Sequence, residues 1–185
     1  MDNPRINIRY AKALFDLAKE NKQLEQANTD MADLARVCHQ NRDLQVLLKS
    51  PIIMGYKKIS IIRELFGKTM SKVSIAFIEI IIRKRREEHL FNIAVRFGDL
   101  YRDEKNIKKV VVTTISPLSD LMRKDLLAVL SKQTGSGIEL EERVDPGIIG
   151  GMIVKLEGIQ FDDSIRKKLQ NLRSEFSVNT FVRDF

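Results

Sequence analysis

The sequence predicts an α+β protein: an N-terminal six-helix bundle over residues 1–106, then a small C-terminal α/β domain over residues 107–185. Three observations carry this. Apolar residues recur at helical spacing as far as Asn106. From Lys109 to Ile115 the run Val-Val-Val-Thr-Thr-Ile has the character of a pleated strand. Finally, 185 residues that are 43% hydrophobic and 31% charged, with only 9 Gly and 4 Pro, make a soluble, helix-rich chain able to bury one substantial core or two small ones.

The first helix is expected from Asp2 to Asn21. Ala11, Leu14, Phe15 and Ala18 form its inner face, and Tyr10, Ala13 and Leu17 an adjoining stripe, more apolar surface than one contact needs. A second helix from about Lys22 carries Leu24, Ala27, Met31, Leu34 and Cys38 on one face. A short third segment, Asp43 to Leu48, ends where Pro51 breaks the run. Ile59, Ile62, Leu65 and Phe66 mark a fourth helix, stopped at Gly67, whose freedom to take positive φ suits a C-terminal cap. Ile75 to Ile82 is apolar at every place but Glu79, a pattern that fits a buried strand or an all-round apolar helix; the helical flanks favour a central bundle helix. Leu90, Ile93, Phe97, Leu100 and Tyr101 place a sixth helix between Glu87 and Asn106.

Beyond the strand at Lys109–Ile115, Ser119 is suited to cap a helix with Met122, Leu126, Val129 and Leu130 inward, ended at Gly135-Ser-Gly137. Ile138, Leu140 and Val144 alternate with charges, Asp145-Pro-Gly147 turns, and Met152, Val154 and Leu156 alternate again; these two arms are expected to pair as neighbours. The last helix opens at Asp162, Asp163 or Ser164 and is expected to bury Ile165, Leu169, Leu172 and Phe176. The tail from Asn179 to Phe185 is expected to be loose, with Phe181 and Phe185 as docking residues.

Catalytic chemistry finds no foothold. Gly135-x-Gly137 lacks a third glycine, and Gly147-x-x-Gly150-Gly151 lacks the Lys-Ser or Lys-Thr with which a phosphate loop grips its ligand. His39, His89 and Cys38 have no metal-ligand spacing, so no metal or cofactor is expected and both histidines read as surface residues. Adjacent acids such as Glu87-Glu88 and Glu141-Glu142 point to different faces and do not form an acid/base pair. A single cysteine implies a reduced compartment and a buried structural thiol. No run approaches about 20 apolar residues, so no membrane span is expected.

The formal net charge is +7, and the excess is N-terminal: 20 Lys+Arg against 14 Asp+Glu up to Asn106, then 12 against 11. Charge alone would suit nucleic acid. The strongest run, Arg83-Lys84-Arg85-Arg86, has no interleaved aromatic for base stacking, and four successive helical residues point around the whole cylinder. It reads first as a solvated helix junction, then as a protein contact, and last as a nucleic-acid site.

Taken in order, several stretches resemble one family. Ile8-Arg-Tyr-Ala-Lys-Ala-Leu-Phe-Asp-Leu-Ala18, Ser50-Pro51 followed by Lys57 or Lys58, Phe77 onward with Arg86 and Leu90, and Ser116-Pro117-Leu118 are similar to successive segments of the delta subunits of F-type ATP synthase. The most specific stretch is Val144-Asp145-Pro146-Gly147-Ile148-Ile149-Gly150-Gly151, followed by Asp162-x-Ser164. The resemblance spans about residues 5 to 176, and in mitochondria the family is called the oligomycin sensitivity-conferring protein. Departures are Arg85, where a glycine is common, and Asp163, where a small residue is common.

This resemblance implies a non-catalytic stator subunit that ties the catalytic head to the peripheral stalk and resists rotor torque. It implies a place at the cytoplasmic face of the bacterial inner membrane, reached only through the complex, with no nucleic-acid partner. It also implies that the bundle takes the N-terminal helix of the alpha subunit into a groove between its first and fifth helices. Carried onto this chain, the groove residues are Tyr10, Ala13, Leu14 and Leu17 with some of Phe77, Ile78, Ile81 and Ile82; about half of these must fill the core instead. The C-terminal domain would meet the b-subunit stalk. There Asp145, Pro146, Gly150, Gly151, Asp162 and Ser164 build a turn and a helix cap rather than touch the stalk, and Arg86 marks the junction of the fifth and sixth helices.

Overall fold

A computed structural model describes residues 4–177, so the expectations for Asn179–Phe185 lie outside the described residues. The chain is mixed helix and sheet, and it parts into two compact units between Glu104 and Lys105.

The N-terminal unit holds α1 (Pro4–Glu20), α2 (Leu24–Gln40), α3 (Arg42–Lys49), α4 (Gly55–Phe66), α5 (Lys72–Arg83) and α6 (Leu90–Glu104), with a 3₁₀ turn at Glu87–His89. The Ile75–Ile82 run is helical. Its flanks decide the matter: Ser71 caps α5, its Oγ accepting from the Ser74 amide at 3.2 Å, while Asp30 Oδ2 of α2 accepts from the Ser71 amide at 3.0 Å. Burying a carboxylate there is favourable because it faces the positive end of the α5 dipole. Ala11, Leu14, Met31, Leu34, Ile62, Ile78, Ile81, Leu90 and Phe97 share one core, and the rings of Phe15 and Phe97 lie 6.0 Å apart.

A buried cation lies within that core. Lys58 of α4 is 1% exposed, and its Nζ donates to the carbonyls of Leu48 and Ser50, each at 2.8 Å, and to Glu87 Oε1 at 2.6 Å. Three acceptors satisfy the three ammonium donors. The inner face of α4 is thus Lys58, Ile62 and Phe66, with Leu65 turned to solvent.

Two N-terminal expectations are corrected. Gly67 caps α4 in the right-handed region, φ −62°, not at positive φ; a Cβ there would stand 2.3 Å from the Arg63 carbonyl oxygen, so glycine answers a close approach. His89 is buried rather than on the surface, because the 3₁₀ turn folds it inward, with Nε2 3.3 Å from Glu88.

The basic run closes α5. Arg85 adopts φ +55°, the Arg85 amide donates to the Ile82 carbonyl at 2.9 Å, and the Arg86 amide to the Ile81 carbonyl at 3.1 Å. This paired pattern is a Schellman motif, whose left-handed residue is usually glycine. Cations suit the negative end of the helix. Arg85→Gly is expected to raise stability by about 1 kcal/mol, read as a shifted urea midpoint at unchanged slope.

The C-terminal unit contains β1 (Ile107–Thr114), α7 (Asp120–Thr134), β2 (Gly137–Val144), a 3₁₀ turn at Pro146–Ile148, β3 (Met152–Leu156), β4 (Ile159–Asp162) and α8 (Ile165–Ser177). The strand order is β2-β1-β3-β4. β1 pairs in parallel with β2 through the crossover helix α7, and antiparallel with β3. The two arms around Asp145-Pro-Gly147 therefore do not pair with each other; β1, buried at Val110 and Val112, lies between them. β4 was not expected. It pairs with β3 across Glu157-Gly158, both at positive φ, as a two-residue hairpin turn requires.

Ser119 caps α7 as expected, and Gly135 ends it at φ +63°. The inner face is narrower than expected: Leu126 and Leu130 pack on the sheet, whereas Met122 and Val129 are exposed, since one helix covers only a stripe of a four-stranded sheet.

Candidate functional site

The groove residues separate into two groups. Leu14, Phe77, Ile78, Ile81 and Ile82 are buried in the N-terminal core. Their positions on α1 and α5 face inward, so they hold the helices and offer no surface. Tyr10 is half-buried, Ala13 is exposed and Leu17 is 43% exposed, giving an accessible i, i+3, i+7 stripe on α1. On α5 the large accessible apolar residue is Ile80, 52% exposed, one turn from the exposed Ala76, and the helical pattern did not single it out. Ile80 was missed because a run of isoleucines gives no inner or outer face by itself, and no signal in the sequence marks it.

That contact holds α4 to α5. Arg63 Nε donates to Glu79 Oε1 at 2.5 Å, and Arg83 stands 3.8 Å from the other oxygen. The guanidinium of Arg63 holds the Glu79 carboxyl below the usual carboxylate range, by its hydrogen bond first and its charge second. Burial pushes the Cys38 thiol up to about 11, so it is a neutral packing group at physiological pH.

Several clefts open on this unit. One of about 710 Å³ is lined by Pro51, Met54, Tyr56, Ile82, Arg83 and Glu87 among others. A smaller one, about 200 Å³, brings Arg5, Ile6, Arg9 and Tyr10 of α1 together with Arg86. In neither is a side-chain hydroxyl or thiol hydrogen-bonded to a base among the described residues. Among the described residues, no three His, Cys, Asp or Glu side chains gather as a metal site, and no helix is long and apolar enough to cross a membrane.

In the C-terminal unit the motif residues form one corner. Asp145 Oδ1 accepts from the Gly147 amide at 2.8 Å, and Pro146 begins the 3₁₀ turn. Asp162 Oδ1 accepts from the Ser164 amide at 3.0 Å, and Ser164 Oγ accepts from the Lys167 amide at 3.1 Å, capping α8. Hydrogen bonding from Ser164 holds the Asp162 carboxyl below its ordinary range, and Lys109 with Arg143 does the same for Glu141. Gly150 gives its carbonyl to the Ile165 amide at 3.0 Å, and a Cβ on it would lie 2.7 Å from Ile165 Cδ1. Gly151 sits at φ +79°, where a Cβ would be 2.4 Å from the Asp163 carbonyl oxygen. Two glycines let the loop pass directly behind the first turn of α8.

The rest of α8 overturns its expected burial. Ile165, Leu169, Leu172 and Phe176 are all exposed, Phe176 at 86%. The i, i+4, i+7, i+11 spacing makes one apolar face, and no described element covers it. Ile159 and Phe161 of β4 are exposed as well. An uncovered apolar face running along a helix is a sign of a partner.

Comparison with known proteins gives the family. The family profile "ATP synthase delta (OSCP) subunit" matches residues 6–176. The "ATP synthase subunit delta" of Cytophaga hutchinsonii is 36% identical over 177 residues, covering 96% of this chain and 97% of that one. That of Desulforudis audaxviator is 36% identical over 168 residues, covering 91% and 92%. In fold, the chain is similar to one in the cryo-EM structure of the Toxoplasma gondii mitochondrial ATP synthase hexamer, with a TM-score of 0.70, 23% identity, and coverage of 92% and 96%. The chain therefore belongs to the ATP synthase delta (OSCP) subunit family, whose members are non-catalytic structural subunits of ATP synthase.

Proposed function

We propose that this chain is the stator clamp of a proton-translocating F-type ATP synthase, at the cytoplasmic face of the bacterial inner membrane. The unit up to Glu104 takes the N-terminal helix of the alpha subunit, and the unit from Lys105 takes the b-subunit stalk. Contact with the membrane is indirect, through the complex. The observation that carries the reading is that each unit leaves a helical apolar stripe in solvent: Tyr10, Ala13 and Leu17 on α1, and Ile165, Leu169, Leu172 and Phe176 on α8. Helix-in-groove recognition uses anchors at this spacing. Two modest contacts suffice, because a partner held at one unit keeps the other at high effective concentration.

Titration of the full-length chain with a synthetic peptide from the start of the alpha subunit tests the first contact. Leu17→Asp and Ile80→Asp are expected to weaken binding at least about tenfold, since a charge at an apolar anchor must be desolvated without a partner. Buried Leu14 and Phe77 are unsuited to the test, since charging them would unfold the unit. A soluble b-subunit fragment should bind the wild type and lose affinity for Leu172→Asp. Unchanged affinities for all three variants would remove the reading.

A further inference from the structure

We propose that the cleft between Arg5, Arg9, Tyr10 and Arg86 receives carboxylate side chains from the helical segment that docks on α1, and thereby fixes the direction in which that segment lies. The inference rests on the proposed function and adds a second recognition element to it. Its starting point is an imbalance of charge. Arg36, Arg63, Arg96 and Arg102 in the same unit each hold an aspartate or glutamate, at 2.6, 2.5, 3.1 and 2.6 Å. Arg5, Arg9 and Arg86 hold none among the described residues, although they converge on one cleft of about 200 Å³.

The arrangement is unfavourable without an anion. Arg5 and Arg9 are four residues apart on α1, so they repel across one turn, and Arg5 also stands in the first turn, where the dipole opposes positive charge. No acidic residue stands in the first turn of α1 to offset them. The third arginine arrives by a strained route: Arg85 takes φ +55° at the end of α5, and the next residue, Arg86, half-buried, lines the cleft. A guanidinium fork binds a carboxylate with two parallel hydrogen bonds, and three of them lining one cleft accept more than one acidic group.

The occupant is a polypeptide, by continuity of surface. Tyr10 belongs both to the cleft and to the apolar stripe that continues through Ala13 to Leu17. A segment lying on the stripe reaches the arginines at one of its ends, so an amphipathic helix with acidic residues at that end is favoured in one orientation over the reverse.

Isothermal titration of the full-length chain with the alpha-subunit N-terminal peptide, and with the same peptide bearing Asn and Gln for every Asp and Glu, tests this. The triple variant Arg5→Gln/Arg9→Gln/Arg86→Gln is expected to bind the native peptide about tenfold more weakly at low ionic strength, with the difference shrinking as salt is added. Toward the neutralised peptide, variant and wild type should bind alike. The double variant Arg5→Gln/Arg9→Gln changes exposed residues only, and is expected to show the same selectivity to a smaller degree. Equal loss for both peptides, or no loss for either, overturns the proposal while leaving the stator reading intact if Leu17→Asp still weakens binding. Inorganic phosphate binding to the wild type more tightly than the peptide would instead assign the cleft to a free anion and overturn it. Absence of any peptide binding by the wild type overturns both readings.

Discussion

Lys58→Ala is expected to lower the unfolding free energy of the N-terminal unit by about 3–5 kcal/mol, the range for removing one partner of a buried ion pair. The substitution leaves the carbonyls of Leu48 and Ser50 and the Glu87 carboxylate without their common donor. Glu87 is already poorly compensated, since its Oε2 has no partner among the described residues. Three segments loosen together: the end of α3, the Ser50-Pro51 break and the 3₁₀ turn before α6. A packing explanation is separated from an electrostatic one by comparing Lys58→Met, which keeps the volume, with Lys58→Met/Glu87→Leu. The double variant should recover most of the loss, because a buried pair replaced by apolar groups is often neutral. Urea denaturation gives both values. A Lys58→Met variant within about 1 kcal/mol of wild type would show that the pair is not what holds the junction.

Gly151→Ala is expected to damage the C-terminal unit alone. An alanine Cβ would need to occupy space 2.4 Å from the Asp163 carbonyl oxygen and 3.2 Å from Ser164 Cα, at a φ of +79°. Left-handed conformation costs about 1–2 kcal/mol for a residue with a side chain, and displacing packed backbone adds about 1–3 kcal/mol. For a unit whose main buried apolar cluster is only Val110, Val112, Leu130 and Val154, that is a large share of its stability. Gly158→Ala is the control: φ is +88°, but a Cβ there meets nothing within 4 Å, so only the conformational cost applies. Amide exchange should quicken in residues 105–177 of Gly151→Ala and not in residues 4–104. Binding of the b-subunit fragment should be lost while the alpha peptide still binds. A variant that keeps both partners and its exchange protection would show that the loop behind α8 yields at little expense.

The sequence was legible wherever one local rule settled the structure. Ser71 and Ser119 are caps that need no partner outside their own first turn to be recognised, although Asp30 adds to the first. Pro51 breaks a helix because it has no N–H, and Gly135 ends one by taking positive φ. Legibility failed where the answer depended on what a residue meets. Lys58 looks like any surface lysine until the carbonyls freed at Leu48 and Ser50 come within its reach. Gly67 has the position of a left-handed cap, yet it is held by the nearness of the Arg63 carbonyl. Strand partners went wrong for the same reason: alternation in β2 and β3 is identical whether they pair with each other or with β1 between them.

The candidate surfaces divide along the same line. Periodicity put Leu14 on the inner face of α1 and Leu17 on the adjoining stripe, and the structure buries the first and exposes the second. What the amino-acid order determined by itself was the family, from motifs standing in order along the chain, and the helices and the turn at Asp145-Pro-Gly147, because these last depend on backbone preferences within a few residues. Tertiary structure alone decided that α8 keeps its apolar face in solvent, that Ile80 is open while Ile78 and Ile81 are closed, and that Arg86 joins Arg5 and Arg9. Burial and convergence are relations between distant segments, and a hydrophobic pattern specifies a face without specifying what, if anything, covers it.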